Sequence, residues 1–155
     1  SNRITLLCCR PSRGHGNVKG ADAVVAWRTG YPFGVNLTRG YPRFNPGEYT
    51  ASDVLARGEA DAGLIVGADP MSNFNERARQ RLRSIPYIAL DPKDTPTTRH
   101  ATVAFNVAAY GINVPGTVYR MDDVPIPLRP AFESPHPSDY DILTRIEKRI
   151  QQRPE

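Results

Sequence analysis

The sequence predicts a doubly wound α/β fold with a mostly parallel sheet, and three observations predict it. Four short apolar runs have the length of strands that are buried on both faces, as in a covered parallel sheet. Stretches of helical spacing lie between these runs. Strands that alternate with helices form right-handed βαβ units, in which the strands lie parallel. The predicted fold is therefore Rossmann-like in its alternation of strands and helices.

The predicted core strands are the apolar runs themselves. In chain order they cover residues 3–9, 62–66, 86–90 and 101–107, and residues 33–37 are a weaker candidate. Gly67 ends the second run, and the turn signal Asp91-Pro92 ends the third. These stops predict polar loops directly after two neighbouring strands.

Three helices are predicted within the alternating region, at residues 21–28, 51–57 and 75–83. The second has the clearest end signals, with Thr50 as N-cap, Asp53 in the first turn and Gly58 as the stop. Local capping chemistry thus marks where this helix begins and ends.

The pattern changes after Val107, where glycine and proline turns separate short alternating runs. This predicts a β excursion over residues 111–132, followed by a terminal helix over residues 138–151 with Ile142, Ile146 and Ile150 on one stripe. We expect one α/β domain over residues 1–155, with its sheet and helices in residues 1–110. The opening residues, which lack an initiator Met, predict a piece of a longer polypeptide.

Charge and cysteine content exclude several classes of function. Twenty Lys and Arg against sixteen Asp and Glu leave a net charge of +4, but the basic residues are scattered rather than clustered, so we expect no nucleic-acid partner. The two cysteines, Cys8 and Cys9, are adjacent and form no C-x-x-C pair, which excludes a zinc or iron–sulfur site built from this chain alone. No apolar run reaches 18 residues, so we expect no membrane partner and a cytoplasmic location.

The first candidate binding loop is the glycine-rich stretch before the first predicted helix. Gly14, Gly16 and Gly20 form a loosened version of the dinucleotide-binding fingerprint. The acidic residue that would bind the ribose is missing, whereas Arg39 could bind a 2′-phosphate. An NADP-binding oxidoreductase domain is therefore one alternative.

Two further polar loops follow the second and third core strands. The first contains Asp69 and Ser72, and the second contains Asp91, Thr95 and Thr97. Ligands of open parallel sheets bind outside the carboxyl ends of the strands, so these loops belong to the expected binding edge. A carboxylate there can accept hydrogen bonds from a guanine edge or ribose hydroxyls, although Asp-Pro and Thr-Pro pairs also simply initiate turns.

Several long segments, taken in order, resemble a known family. The stretches "RGHGNVKG", "GYPFGVNLTRGYPRFNPGE", "ASDVLARGEADAGLIVGADP", "IPYIALDPKDTPTTRHATVAFNV" and "GINVPGTVYRMDDVPIPLR" resemble the C-terminal third of the B subunit of formylmethanofuran dehydrogenase, over residues 10–150. More distantly, they resemble the nucleotide-binding domain of molybdopterin oxidoreductases.

The resemblance implies a cofactor and residue roles. The family binds tungsten or molybdenum through molybdopterin guanine dinucleotide, so this domain would hold part of that cofactor. Arg13 would lie at the metal site and orient a carboxylate by two parallel hydrogen bonds, with His15 beside it. The residues that would contact the cofactor are Gly14, Asn17, Gly20, Asp69, Asp91, Thr95 and Thr97.

Departures from the family pattern keep a second alternative open. The iron–sulfur and metal-ligating cysteines of such enzymes lie in an N-terminal part that is absent here, so this chain alone would not catalyse the redox reaction. Gly16 stands where the family pattern has a bulkier residue. Such a replacement is also expected in the B subunits of formyltransferase/hydrolase complexes, which act on formyl-tetrahydromethanopterin. In that alternative the chain is a cofactor-free structural subunit. Whether or not the chain binds the cofactor, the expected partners are the other subunits of the complex.

Overall fold

The computed structural model describes residues 5–6, 17–119, 122 and 124–152. The chain forms two compact units. The first contains residues 1–89 and 94–104, and the second contains residues 90–93 and 105–155. The elements, in chain order, are β1 (Thr5–Leu6), α1 (Val18–Thr29), β2 (Val35–Asn36), β3 (Arg43–Phe44), α2 (Ala51–Ala56), β4 (Gly63–Val66), α3 (Pro70–Asn73), α4 (Glu76–Ser84), β5 (Tyr87–Asp91), α5 (Pro96–His100), β6 (Val103–Asn106), β7 (Gly116–Tyr119), β8 (Pro125–Leu128) and α6 (Asp139–Gln151).

The predicted α/β class is confirmed by a three-stranded parallel sheet with the order β4-β5-β6. The starts of the strands lie side by side, as parallel pairing requires. The N–H of Gly63 donates to the carbonyl of Pro86 at 3.1 Å, and the N–H of Thr102 donates to the carbonyl of Tyr87 at 3.0 Å. These strands were predicted from their apolar runs, and their observed ends differ from the predicted ones by up to two residues.

A second, antiparallel sheet has the order β1-β2-β3. Here the structure differs from the expectation for residues 3–9: the described part, Thr5–Leu6, pairs antiparallel with β2 instead of contributing to the parallel sheet. Residues 3, 4 and 7–9 of that predicted strand lie outside the described residues. A continuous apolar run indicates burial but carries no information about the partner strand or its direction.

The core of the first unit lies between helices α2 and α4 and one face of the parallel sheet. Ala78 and Leu82 lie one turn apart on α4, and both are almost fully buried. They pack with Leu55 of α2 and with Tyr87 and Ala89 of β5. Helix α4 is otherwise highly charged, so this narrow apolar stripe fixes which face of the helix is buried.

The second unit contains the predicted β excursion and terminal helix, and both are confirmed. Strands β7 and β8 form an antiparallel hairpin with Val118 opposite Ile126. Helix α6 begins at a capping box in which Ser138 and Asp141 bond reciprocally to each other's backbone N–H groups. None of the helices in the described parts of the chain is long and apolar enough to cross a membrane.

Candidate functional site

The polar loops that follow β4 and β5 do meet, through a buried contact in the first unit. Asp69 follows β4 and directly precedes α3, and Thr97 lies in α5. Oδ1 of Asp69 accepts hydrogen bonds from the Thr97 hydroxyl at 2.5 Å and from the Thr97 N–H at 3.2 Å. Oδ2 accepts a third from the Ser72 hydroxyl at 2.5 Å. Asp69 is therefore a buried carboxylate that is stabilised by three donors.

Thr97 extends this contact into a small network. It is completely buried, and its hydroxyl also accepts a hydrogen bond from the Met71 N–H at 3.1 Å. The Tyr87 hydroxyl donates to the Thr97 carbonyl at 2.7 Å. Burial, together with the nearby charge of Asp69, raises the pKa of Tyr87, so the phenol stays protonated and remains a donor. This network holds the two loops together.

Thr95, another residue expected to contact a cofactor, caps helix α5. Its hydroxyl accepts from the Thr98 N–H at 3.2 Å, while the Thr98 hydroxyl accepts from the Thr95 N–H at 2.9 Å. Exposed Arg99 and Asp94 form an ion pair beside this cap, and the hydrogen bond from Arg99 lowers the pKa of Asp94. The side chains of Thr95, Thr97 and Asp69 thus form hydrogen bonds with other residues of this chain, and these bonds shape the loops.

A pair of carboxylates lies in the second unit. Asp91 is the last residue of β5 and is buried, and its Oδ1 accepts a hydrogen bond from the Lys93 N–H at 2.8 Å. Asp139 is the first residue of α6. Burial raises the pKa of Asp139, and the negative charge of Asp91 raises it further. The two carboxylates therefore interact.

Asp139 has an unsatisfied acceptor. Its Oδ1 is buried and has no hydrogen-bond partner among the described residues. A buried acceptor without a donor costs about 1–3 kcal/mol, more when it is charged. A ligand edge that presents adjacent N–H groups would satisfy this oxygen and reduce the repulsion between the carboxylates. A three-residue metal cluster of His, Cys, Asp or Glu does not occur within the described part of the chain.

The glycine-rich loop is described only at its end. Arg13, Gly14, His15 and Gly16 lie outside the described residues. Asn17 is the N-cap of α1, and its Oδ1 accepts from the Gly20 N–H at 3.0 Å. A Cβ atom at position 20 would overlap the Asn17 side chain, which gives a local reason for glycine there.

Sequence reasoning missed Asp139 and Tyr87 as members of these polar clusters. The sequence signal at Asp139 is weak, because an acidic residue in the first turn of a helix is ordinarily explained by the helix dipole. Tyr87 lies within an apolar run that predicts a buried strand, and nothing in that run indicates a hydrogen-bond partner for its hydroxyl. Neither contact can be inferred without knowing which segments pack together.

Comparison with known proteins first defines the fold. The structure is similar to a chain of the formyltransferase/hydrolase complex from Methylorubrum extorquens, solved in complex with methylofuran, with a TM-score of 0.66 and 23% identity. The match covers 86% of this chain and 37% of the other. The chain is thus an α/β domain of the kind found in that complex. No family model matches the sequence.

Sequence relatives then show which known protein the chain resembles. The chain is 45% identical over 153 residues to the B subunit of tungsten-containing formylmethanofuran dehydrogenase 2 from Methanocaldococcus jannaschii, and 41% identical over 151 residues to the protein of the same name from Methanococcus maripaludis. These matches cover 97% and 96% of this chain but 35% of each relative. The resemblance seen in the sequence is confirmed: the chain is homologous to the C-terminal part of the formylmethanofuran dehydrogenase B subunit.

Proposed function

We propose that this chain is the C-terminal cofactor-binding domain of a B subunit of the formylmethanofuran dehydrogenase type, acting within a multisubunit complex in formyl and formate metabolism. The homology to the B subunits of two enzymes that are named tungsten-containing supports the proposal. The observation that carries the binding role is the buried, unsatisfied Oδ1 of Asp139, a carboxyl group on which the charge of Asp91 also acts.

The carboxylate pair fits one end of the expected cofactor. Guanine presents a ring N–H and an exocyclic amino group on one edge, and carboxylate oxygens accept from such donors. Asp91 and Asp139 would therefore hold the guanine of molybdopterin guanine dinucleotide. With tungsten or molybdenum bound, this cofactor would supply the two-electron chemistry between the formyl and carbon dioxide oxidation levels.

The other predicted residues have two kinds of role in this proposal. Asp69, Thr95 and Thr97 would act indirectly, because their hydrogen bonds shape the loops that follow β4 and β5. Arg13 would orient the carboxylate of a formate-level substrate, since a guanidinium can form two parallel hydrogen bonds to it. His15 and Asn17 would lie beside it, and Gly14 and Gly20 would allow close approach of the backbone to the cofactor.

The test is made in the complete B subunit, purified anaerobically with its partner subunits. Asp91→Asn and Asp139→Asn are compared with Asp61→Asn, which changes an exposed carboxylate in the first unit. Metal is measured by elemental analysis, and guanine by the GMP released on acid hydrolysis.

We expect wild type and Asp61→Asn to contain metal and GMP. The Asp91→Asn variant is expected to lose affinity by about tenfold or more, because a hydrogen bond to a charged group contributes about 1.5–3 kcal/mol. A full GMP content in both site variants would contradict the assignment of these residues.

The cofactor-free alternative is a structural subunit of a formyltransferase/hydrolase complex. The fold similarity to a chain of such a complex favours keeping it as the second candidate. The same measurement decides between the two, because a wild-type protein without tungsten, molybdenum or GMP would support the structural role and contradict cofactor binding.

A further inference from the structure

An apolar groove lies in the second unit, along helix α6. Its floor contains Phe105 of β6 and three isoleucines, Ile142, Ile146 and Ile150, which follow one another at intervals of one helical turn. The groove has a volume of about 650 Å³. Its lining extends to Gln152, at the C-terminal end of the helix.

The stripe of isoleucines is covered at one end only. Ile142 is 7% exposed, whereas Ile150 is 67% exposed. Burial of apolar surface contributes about 25 cal/mol for each Å², and exposed apolar surface that lines a groove is typical of interaction sites. The groove therefore has the features of a surface that a partner covers.

The charge along the groove indicates the chemistry of that partner. Arg145 and Arg149 line the groove next to the isoleucines. Among the described residues neither is within ion-pair distance of a carboxylate, although the charge of Arg145 also acts on Asp141, one turn earlier in the helix. A second copy of this chain would bring the same two guanidinium groups to the contact, which disfavours it. A segment that carries carboxylates beside an apolar ridge complements both the floor and the arginines.

The matched relatives point to the source of such a segment. This chain spans 35% of each relative, so the larger part of the B subunit polypeptide has no counterpart in it. We infer that the α6 groove is the docking site for an apolar, carboxylate-bearing segment from that remaining part of the B subunit. This inference rests on one part of the proposed function, that the chain is a domain of a B subunit, and it does not depend on cofactor binding.

The experiment uses a complete B subunit in which this chain replaces the matched part of the Methanocaldococcus jannaschii protein. Backbone amide hydrogen exchange of residues 146–152 is compared between this complete protein and the chain alone. Arg145→Glu with Arg149→Glu is the test variant. The control is Lys148→Glu, a charge reversal on the same helix that does not line the groove.

We expect exchange in the last turns of α6 to slow by about tenfold or more in the complete protein, as covered helix ends open less often. The double glutamate variant should lose this protection and Lys148→Glu should keep it. The double lysine variant, Arg145→Lys with Arg149→Lys, preserves charge and folding, and it should also keep the protection.

Two results would overturn the inference. One is equal exchange in the chain alone and in the complete protein. The other is a dimer of the chain alone, detected by sedimentation and carrying the same protection, which would assign the groove to a second copy. If the complete protein shows the protection but contains no metal and no GMP, the docking site is supported and only the proposed cofactor binding is contradicted.

Discussion

The hydroxyl of Thr97 donates a 2.5 Å hydrogen bond to Oδ1 of Asp69, and this contact joins the loops that follow β4 and β5. Both residues are buried, so the carboxylate depends on Thr97 and Ser72 for its stabilisation. We expect Thr97→Val to reduce the free energy of unfolding by about 2–4 kcal/mol, because it leaves a buried charge and the Met71 N–H with fewer partners. Urea unfolding followed by circular dichroism measures the change.

Thr117→Val is the matched control for that substitution. Thr117 lies on the exposed hairpin strand β7, and the same chemical change there should alter stability by less than about 0.5 kcal/mol. Equal changes in the free energy of unfolding at the two positions would show that the Asp69–Thr97 contact does not stabilise the fold.

A second prediction follows from the buried stripe of α4, which consists of Ala78 and Leu82. Leu82 is 2% exposed and belongs to the apolar cluster between helix and sheet. Leu82→Ala should cost about 2–5 kcal/mol, because it removes apolar contacts and leaves a cavity. Leu64→Ala, at a side chain that is 52% exposed, should cost far less in the same denaturation experiment. A small loss at Leu82 would contradict the observed packing.

Asp139 and Asp141 both lie in the first turn of α6, and their contributions to folding stability should depend on pH in opposite directions. Burial and Asp91 raise the pKa of Asp139 above its unfolded value. Its contribution to stability is therefore full below the unfolded pKa, about 3.9, and is lost as the pH rises through the folded pKa. We expect Asp139→Asn to raise the melting temperature at pH 7 and to have little effect near pH 3.

The hydrogen bonds from Ser138 lower the pKa of Asp141, so its contribution is present above the unfolded pKa and is lost as the pH falls through the folded pKa. Asp141→Asn should therefore lower the melting temperature at pH 7 and have a diminishing effect in acid. Thermal unfolding of both variants between pH 3 and pH 8 makes the comparison. Shifts of the same sign at pH 7 would contradict the assigned environments.

The capping box of α6 gives a fourth prediction. The Ser138 hydroxyl accepts from the Asp141 N–H at 3.2 Å. Ser138→Ala should cost about 1 kcal/mol, a typical loss for an N-cap hydroxyl. Lys148→Ala changes an exposed residue in the last turn and serves as the control in the same urea titration. A loss at Ser138 no larger than that at Lys148 would show that the cap is unimportant.

Helix ends with strong local signals could be predicted well. Thr50 caps α2 and Gly58 follows that helix with φ of 75°, a left-handed conformation that favours glycine. The terminal helix was predicted at residues 138–151 and observed at Asp139–Gln151. These features depend on residues within one or two turns of each other, so the local sequence contains the information.

Elements with weak local signals were missed or misplaced. Helix α5 lies in a stretch predicted as a polar loop, because its first residue is Pro96 and threonines are as common in turns as in helix caps. Strand β3 has two residues, too few to show a periodicity.

The sequence by itself determined the α/β class, the main helices and the resemblance to the formylmethanofuran dehydrogenase B subunit, because periodicity, capping and sequence similarity are all local or linear properties. Only the tertiary structure decided that Thr97 binds Asp69, and that the charge of Asp91, at the end of β5, acts on Asp139 at the start of α6. These pairs join residues far apart in the chain. Which of them meet depends on how the sheet and helices bury their apolar surface, and that is a property of the whole packed chain.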